Sequence, residues 1–194
     1  SFIIQKNLGT FGDGGALVTN NPEIDGRVRK LRNHGSNKRN VHSFGFNSRL
    51  DDIHAGILSA KLKHIHKWND DRIQWAERYT AGLRKAARID LPYVRPGYRH
   101  VFHLYVIETK NPAHRDQLLD FLVANGIDAK THYSIAIHKQ DGYPWGKGAR
   151  LAGAVPNAER NAASCVSLPM YPELTEAQVD YVISKVLEWD KAPR

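Results

Sequence analysis

The residues best suited to chemistry stand at the start of the chain. Lys6 directly precedes Asn7-Leu8-Gly9, and Gly9-Thr10-Phe11-Gly12-Asp13-Gly14-Gly15 holds four glycines in seven positions. A lysine amine becomes a nucleophile when desolvation or neighbouring cations free it of its proton. Glycines let the backbone take positive φ or approach a ligand closely. The order excludes two phosphate-binding motifs. In a Walker loop the lysine follows the glycines, and the dinucleotide fingerprint needs strand, Gly-x-Gly-x-x-Gly and helix in sequence. By itself the pattern reads as a tight turn beside a surface lysine.

Other candidates are more dispersed. Arg49 has the fork geometry for bidentate capture of a carboxylate or phosphate, or it pairs with Asp51 or Asp52. Asn47 suits a turn. His132 and Tyr133 read as strand-end packing, and His138 as part of a solvated loop. Ten histidines invite a metal reading. His64 and His66, however, lie two apart, which does not face one ligand on a helix, and no set has metal-ligand spacing. No metal is expected. Cys165, the single cysteine, sits beside Val166 and near Leu168. It is expected to be a buried thiol, in keeping with a reducing cytoplasm.

These residues need elements to position them. Ala16–Thr19 reads as a short strand. Asn20-Asn21-Pro22 opens a helix to about Asn33, with Ile24, Val28 and Leu31 at helical spacing. Residues 34–48 read as a loop and 50–62 as a helix, extended through Trp68, Trp75 and Tyr79 to about Leu83. Leu91-Pro92-Tyr93-Val94-Arg95-Pro96-Gly97 breaks the pattern. Beyond it, strands are expected at 100–108, 127–133 and 164–168, with a helix at 116–124 stopped by Asn125-Gly126. Thr175 and Gln178 have capping-box spacing before a final helix. The chain therefore divides into 1–88 and 89–194. Its net charge of +8 lies wholly in the first part, which has 16 Lys+Arg against 8 Asp+Glu, while the second has 12 of each. That excess suits an anionic partner or simply a solvated surface. With no finger, basic zipper or aromatic RNA-binding motif, nucleic acid is not expected. No apolar run approaches the roughly 18 residues that span a bilayer.

Several segments together resemble the DegT/DnrJ/EryC1/StrS aminotransferases. They are Ser1-Phe2-Ile3-Ile4-Gln5-Lys6-Asn7-Leu8-Gly9 with Gly12-Asp13-Gly14-Gly15-Ala16, then Leu31-Arg32-Asn33-His34-Gly35 and Gly45-Phe46-Asn47-Ser48-Arg49-Leu50-Asp51. Further on come Ala60-Lys61-Leu62, His100-Val101-Phe102-His103-Leu104-Tyr105, His132-Tyr133 with His138, Ser167-Leu168-Pro169-Met170 and Pro172-Glu173-Leu174-Thr175. The matches run in order over nearly the whole chain.

The resemblance implies an α/β protein, part of a type I pyridoxal-phosphate (PLP) transferase fold. Residues 1–88 would end the large PLP-binding domain with its long helices, and 89–194 would form a small C-terminal α/β domain. It implies a cytoplasmic homodimer that moves an amino group, from glutamate, to a keto-sugar nucleotide or related cyclic ketone in polysaccharide biosynthesis. Lys6 would carry PLP as an imine, and Ser1 and Asn47 would bind its phosphate, Asn47 across the dimer interface. Arg49, His132, Tyr133 and His138 would face the substrate. Three departures touch specificity: Ile4 stands where the family usually has proline, and prolines usual near Ser134 and Ala136 are absent. Family members are about twice this length, and the chain opens mid-pattern without Met. A second expectation is therefore a remnant that lacks the rest of the site and serves only to dimerise or to bind.

Overall fold

The computed structural model describes residues 1–38, 41–144 and 148–193. Its packing divides the chain into two units, Ser1–Trp68 and Asn69–Arg194. This division precedes the composition change at 88/89. Trp75, Tyr79 and Leu83, on the helix that crosses position 69, belong to the core of the second unit.

In the first unit, α1 spans Pro22–Leu31 and α2 spans Asp52–Leu62. The Asn21 side chain accepts the N–H groups of Glu23 (2.9 Å) and Ile24 (3.3 Å), two of the donors a helix start leaves unpaired. Pro22 fits the first turn because it has no N–H to satisfy there. Residues 1–15 close on themselves: Phe2 N–H donates to Gly14 O at 2.7 Å and Thr10 N–H to Phe2 O at 2.8 Å. The expected strand at 16–19 is irregular, with Val18 96% exposed. A strand is stabilised by a neighbour, and no strand is described among residues 1–68. The expected loop at 34–48 is a loop, apart from residues 39 and 40, which lie outside the described residues. Its ends meet where Asn33 bridges Asn47, and Gly45 lies so close to the Gly35 backbone that no side chain fits at that position. Among the described residues of this unit only Gly9, Thr10, Gly35 and Leu58 are buried. Ile4, Phe11, Leu17, Val18, Phe44 and Ile53 are exposed.

The helix α3, Ile65–Leu83, leads into the second unit. There β1 (Ile89–Asp90), β2 (Tyr105–Thr109) and β3 (Cys165–Leu168) form an antiparallel sheet in that order, with Ile89 opposite Thr109 and Tyr105 opposite Leu168. Alternate residues of β2 are buried, as a half-covered strand requires, whereas all four of β3 are buried. Three more helices follow: α4 (Arg115–Ala124), α5 (Pro156–Ser164) and α6 (Glu176–Lys191). Tyr79, Leu83, Ile107, Leu118, Leu122, Val166, Val179 and Val186 make the core. Each such aliphatic side chain contributes about 1.5–3 kcal/mol of transfer free energy. Cys165 is buried there as expected, and burial pushes its thiol pKa up.

Two expected strands are shortened. Residues 100–104 form a turn rather than the start of β2. Phe102 has φ +40°, its N–H donates to His100 Nδ1 at 2.9 Å, and its carbonyl accepts from Arg72 Nη1 at 3.3 Å. The segment 127–133 pairs only where Lys130 bridges Ser167. From α3, three side chains reach one other segment. Arg72 donates to Met170 O (2.8 Å), Trp75 to Pro172 O (3.2 Å) and Tyr79 to Pro169 O (3.1 Å). Burial raises the Tyr79 phenol pKa and lowers that of the Arg72 guanidinium.

The capping box at Thr175 is present. Its hydroxyl accepts Gln178 N–H at 3.3 Å and its N–H donates to the Gln178 side chain at 2.9 Å. Thr175→Ala is expected to lower stability by about 1 kcal/mol, read as a reduced urea midpoint with an unchanged slope.

Candidate functional site

Lys6 rides on a tight turn in which its own N–H donates to Ile3 O at 2.9 Å. The turn is braced from below. A Cβ on Gly9 would lie 2.5 Å from Ile4 O and 2.6 Å from Ile3 O, so only glycine seats there. Lys61 Nζ donates to Gly9 O at 2.5 Å, and Thr10, fully buried, bonds His54 Nδ1 through its hydroxyl at 2.8 Å. Helix α2 thus supplies both His54 and Lys61 to hold the Lys6 turn. The Lys6 side chain is half-buried, and the exposed Ser1 accepts Ile3 N–H at 3.4 Å through its hydroxyl.

Asn47 and Arg49 come together, with Arg49 Nε donating to Asn47 Oδ1 at 3.0 Å. Arg49 is not paired with Asp51 or Asp52 in any contact seen among the described residues. Both line a cleft of about 600 Å³ with Asp13, Gly14, Arg29 and Arg32. Arg29 is engaged with Asp25, its single Nε–H shared between the two carboxylate oxygens at 2.9 Å each.

In the second unit, His132 Nδ1 meets Ser167 Oγ at 2.8 Å. Both line a pocket of about 360 Å³ together with Lys130, Met170, Tyr171 and Tyr181. Tyr133 is 71% exposed, and its carbonyl accepts from Cys165 Sγ at 3.9 Å. His138 is not simply solvated: its Nε2 lies 3.0 Å from Glu159 Oε1 on α5, and Lys139 Nζ lies 3.3 Å from the same oxygen. Ser167, noted only as part of a segment that resembles the family, and Glu159 were not expected beside these histidines. No local signal marks either partner, because each meets its histidine only through the fold.

The hydrogen bond from His138, then that from Lys139, holds the Glu159 carboxyl below its ordinary pKa. A carboxylate depressed in the folded state stabilises it above the ordinary carboxylate range, and that stabilisation fades as pH falls through the folded value. Wild type and Glu159→Gln should therefore differ in urea midpoint at pH 7 and converge as pH falls below the ordinary carboxylate range and through the depressed folded value. Among the described residues, no three His, Cys, Asp or Glu side chains gather as metal ligands, and no helix is long and apolar enough to cross a membrane.

Comparison with known proteins places this geometry. The chain is 42% identical over 190 residues to a dTDP-3-amino-3,4,6-trideoxy-α-D-glucose transaminase of Streptomyces venezuelae, covering 97% of this chain and 49% of that protein. It is 38% identical over 183 residues to a UDP-N-acetyl-3-dehydro-α-D-glucosamine 3-aminotransferase of Acidithiobacillus ferrooxidans, covering 92% and 47%. The crystal structure of S. venezuelae DesV with a ketimine intermediate superposes with a TM-score of 0.88 at 40% identity, over 100% of this chain and 51% of that one. The chain thus spans about half the length of these relatives. Residues 1–187 match the family's shared sequence pattern, and the chain belongs to the DegT/DnrJ/EryC1/StrS aminotransferase family.

Proposed function

We propose that the protein containing this chain is a PLP-dependent aminotransferase that moves an amino group from glutamate to a keto-sugar nucleotide, or a related cyclic ketone, in the cytoplasm. The observation that carries the reading is the braced turn under Lys6 within a chain matched to the family over 1–187. Relatives named as acting on dTDP- and UDP-sugars support the substrate class.

The donor set fits the cofactor. An aldehyde needs an amine, which Lys6 presents from a turn that cannot slacken without expelling Gly9 from its seat. A phosphate needs hydroxyl and amide donors, the first of which Ser1 would provide and the second Asn47 of the other protomer. When bound, PLP supplies the electron sink for the carbon that loses or gains a proton. Lys6 Nζ would hold the cofactor at its aldehyde carbon and, once freed by the incoming amine, would move a proton between the donor's α-carbon and the cofactor carbon. Arg49 takes the donor's carboxylate bidentately. Its hydrogen bond to Asn47 ties substrate capture to phosphate binding. His132 and Tyr133 contact the substrate. His138 would face the substrate with them, its ring held through Nε2 by Glu159 on α5.

The protein would act as a homodimer, as the family resemblance implies. Within it, Asn47 would serve the other protomer's cofactor.

The test is trapping. Full-length protein incubated with PLP and reduced with borohydride should yield one saturable adduct, located by peptide mass spectrometry on Lys6. Adducts scattered over many lysines, or none, would overturn the assignment.

A further inference from the structure

Strand β3 does more than fill the sheet: its outer edge builds the frame on which the His132-Tyr133 pair is mounted. Ser167 N–H donates to Lys130 O at 2.7 Å and Lys130 N–H to Ser167 O at 3.2 Å, so the backbone just before His132 is locked to the strand. Two residues earlier on β3, Cys165 reaches Tyr133 O. The Ser167 hydroxyl, on a residue only 4% exposed, lies 2.8 Å from His132 Nδ1. One serine thus fixes its neighbour twice, by main chain and by side chain.

Resting on the substrate role given above to His132, we propose that Ser167 is a positioning residue for the reaction. Its hydroxyl restrains the plane of the His132 imidazole through the hydrogen bond at Nδ1. An imidazole otherwise has freedom about two side-chain torsions and a choice of two neutral forms. A hydroxyl at hydrogen-bond distance restricts the torsions whichever neutral form is present, since it donates to a bare Nδ1 or accepts from a protonated one, and its own alternatives are few because the strand around it is buried. The serine touches no substrate, and its whole effect passes through the ring.

The experiment uses full-length, PLP-loaded protein labelled with 15N-histidine, with glutamate as the probe of the amino-donor half-reaction. Ser167→Ala should shift the ring 15N resonances of His132, assigned by their loss in His132→Gln, and leave those of the other histidines in place. It should slow the half-reaction about tenfold. Ser167→Thr, which keeps the hydroxyl, should recover most of the rate. In the His132→Gln background, Ser167→Ala should cost less than about twofold, since the ring it positions is gone. An unmoved His132 ring in Ser167→Ala, or an equal rate cost in both backgrounds, would overturn the proposal. A moved ring combined with an unimpaired His132→Gln enzyme would instead overturn the reading of His132 on which it rests.

Discussion

Lys6→Ala in the full-length protein should abolish amino transfer, lowering turnover by at least about a thousandfold, because on the role proposed for Lys6 the variant loses both the cofactor's covalent anchor and the amine that carries the proton. The fold should survive, since Lys6 is half-buried and the braces of its turn, Lys61 to Gly9 and Thr10 to His54, are made by other residues. Two measurements separate chemistry from structure. The thermal midpoint of Lys6→Ala should lie within a few degrees of wild type. Added small primary amines should restore part of the proton-transfer rate in Lys6→Ala, because they supply the missing base without the missing side chain. A variant that retains turnover, or one that loses it only by unfolding, would contradict the role assigned to Lys6.

Gly9→Ala should be nearly as damaging although the added group is one methyl. That carbon would sit 2.5 Å and 2.6 Å from two backbone carbonyl oxygens, those of Ile4 and Ile3. Neither oxygen is the end of a flexible side chain, and Ile3 O already accepts the Lys6 N–H. Relief requires the turn to open, which displaces the amine. The expected outcome is a PLP affinity lowered about tenfold or more and a stability loss of about 1–3 kcal/mol. Gly56→Ala gives the contrast. Gly56 lies within α2 with nothing within 4 Å of the added carbon, so alanine should stabilise by about 0.5–1 kcal/mol through helix propensity. Equal effects at the two glycines would show that the seat at Gly9 is not what holds Lys6.

The helices were legible in the sequence wherever local chemistry specifies them. Asn21-Pro22 and the Thr175–Gln178 box carry their own hydrogen bonds, so α1 and α6 begin where residue type says they must. The helix α5 was missed because its buried residues, Ala162 and Ser164, are small and leave no apolar stripe. The strands were less legible, since a strand is stabilised by its neighbour. Residues 16–19 have the composition without the partner, and 127–133 pairs only at Lys130. At the candidate site, Lys6, Asn47 and Arg49 stand out as residue types in suggestive spacing. Ser167 and Glu159 do not, because a serine 35 positions and a glutamate 21 positions from their histidines acquire meaning only after the chain has folded.

The three donors that α3 sends to residues 169–172 have a consequence for how this protein can change over time. Arg72, Trp75 and Tyr79 grip carbonyl oxygens, which every amino acid offers alike. Substitutions in 169–172 can therefore accumulate without loosening the grip. Insertions or deletions there cannot, because a rigid helix sets the separation of the three donors. The segment should keep its length, and diversity should appear at Tyr171, the one position of 169–172 outside the segments that resemble the family, which faces the pocket beside His132.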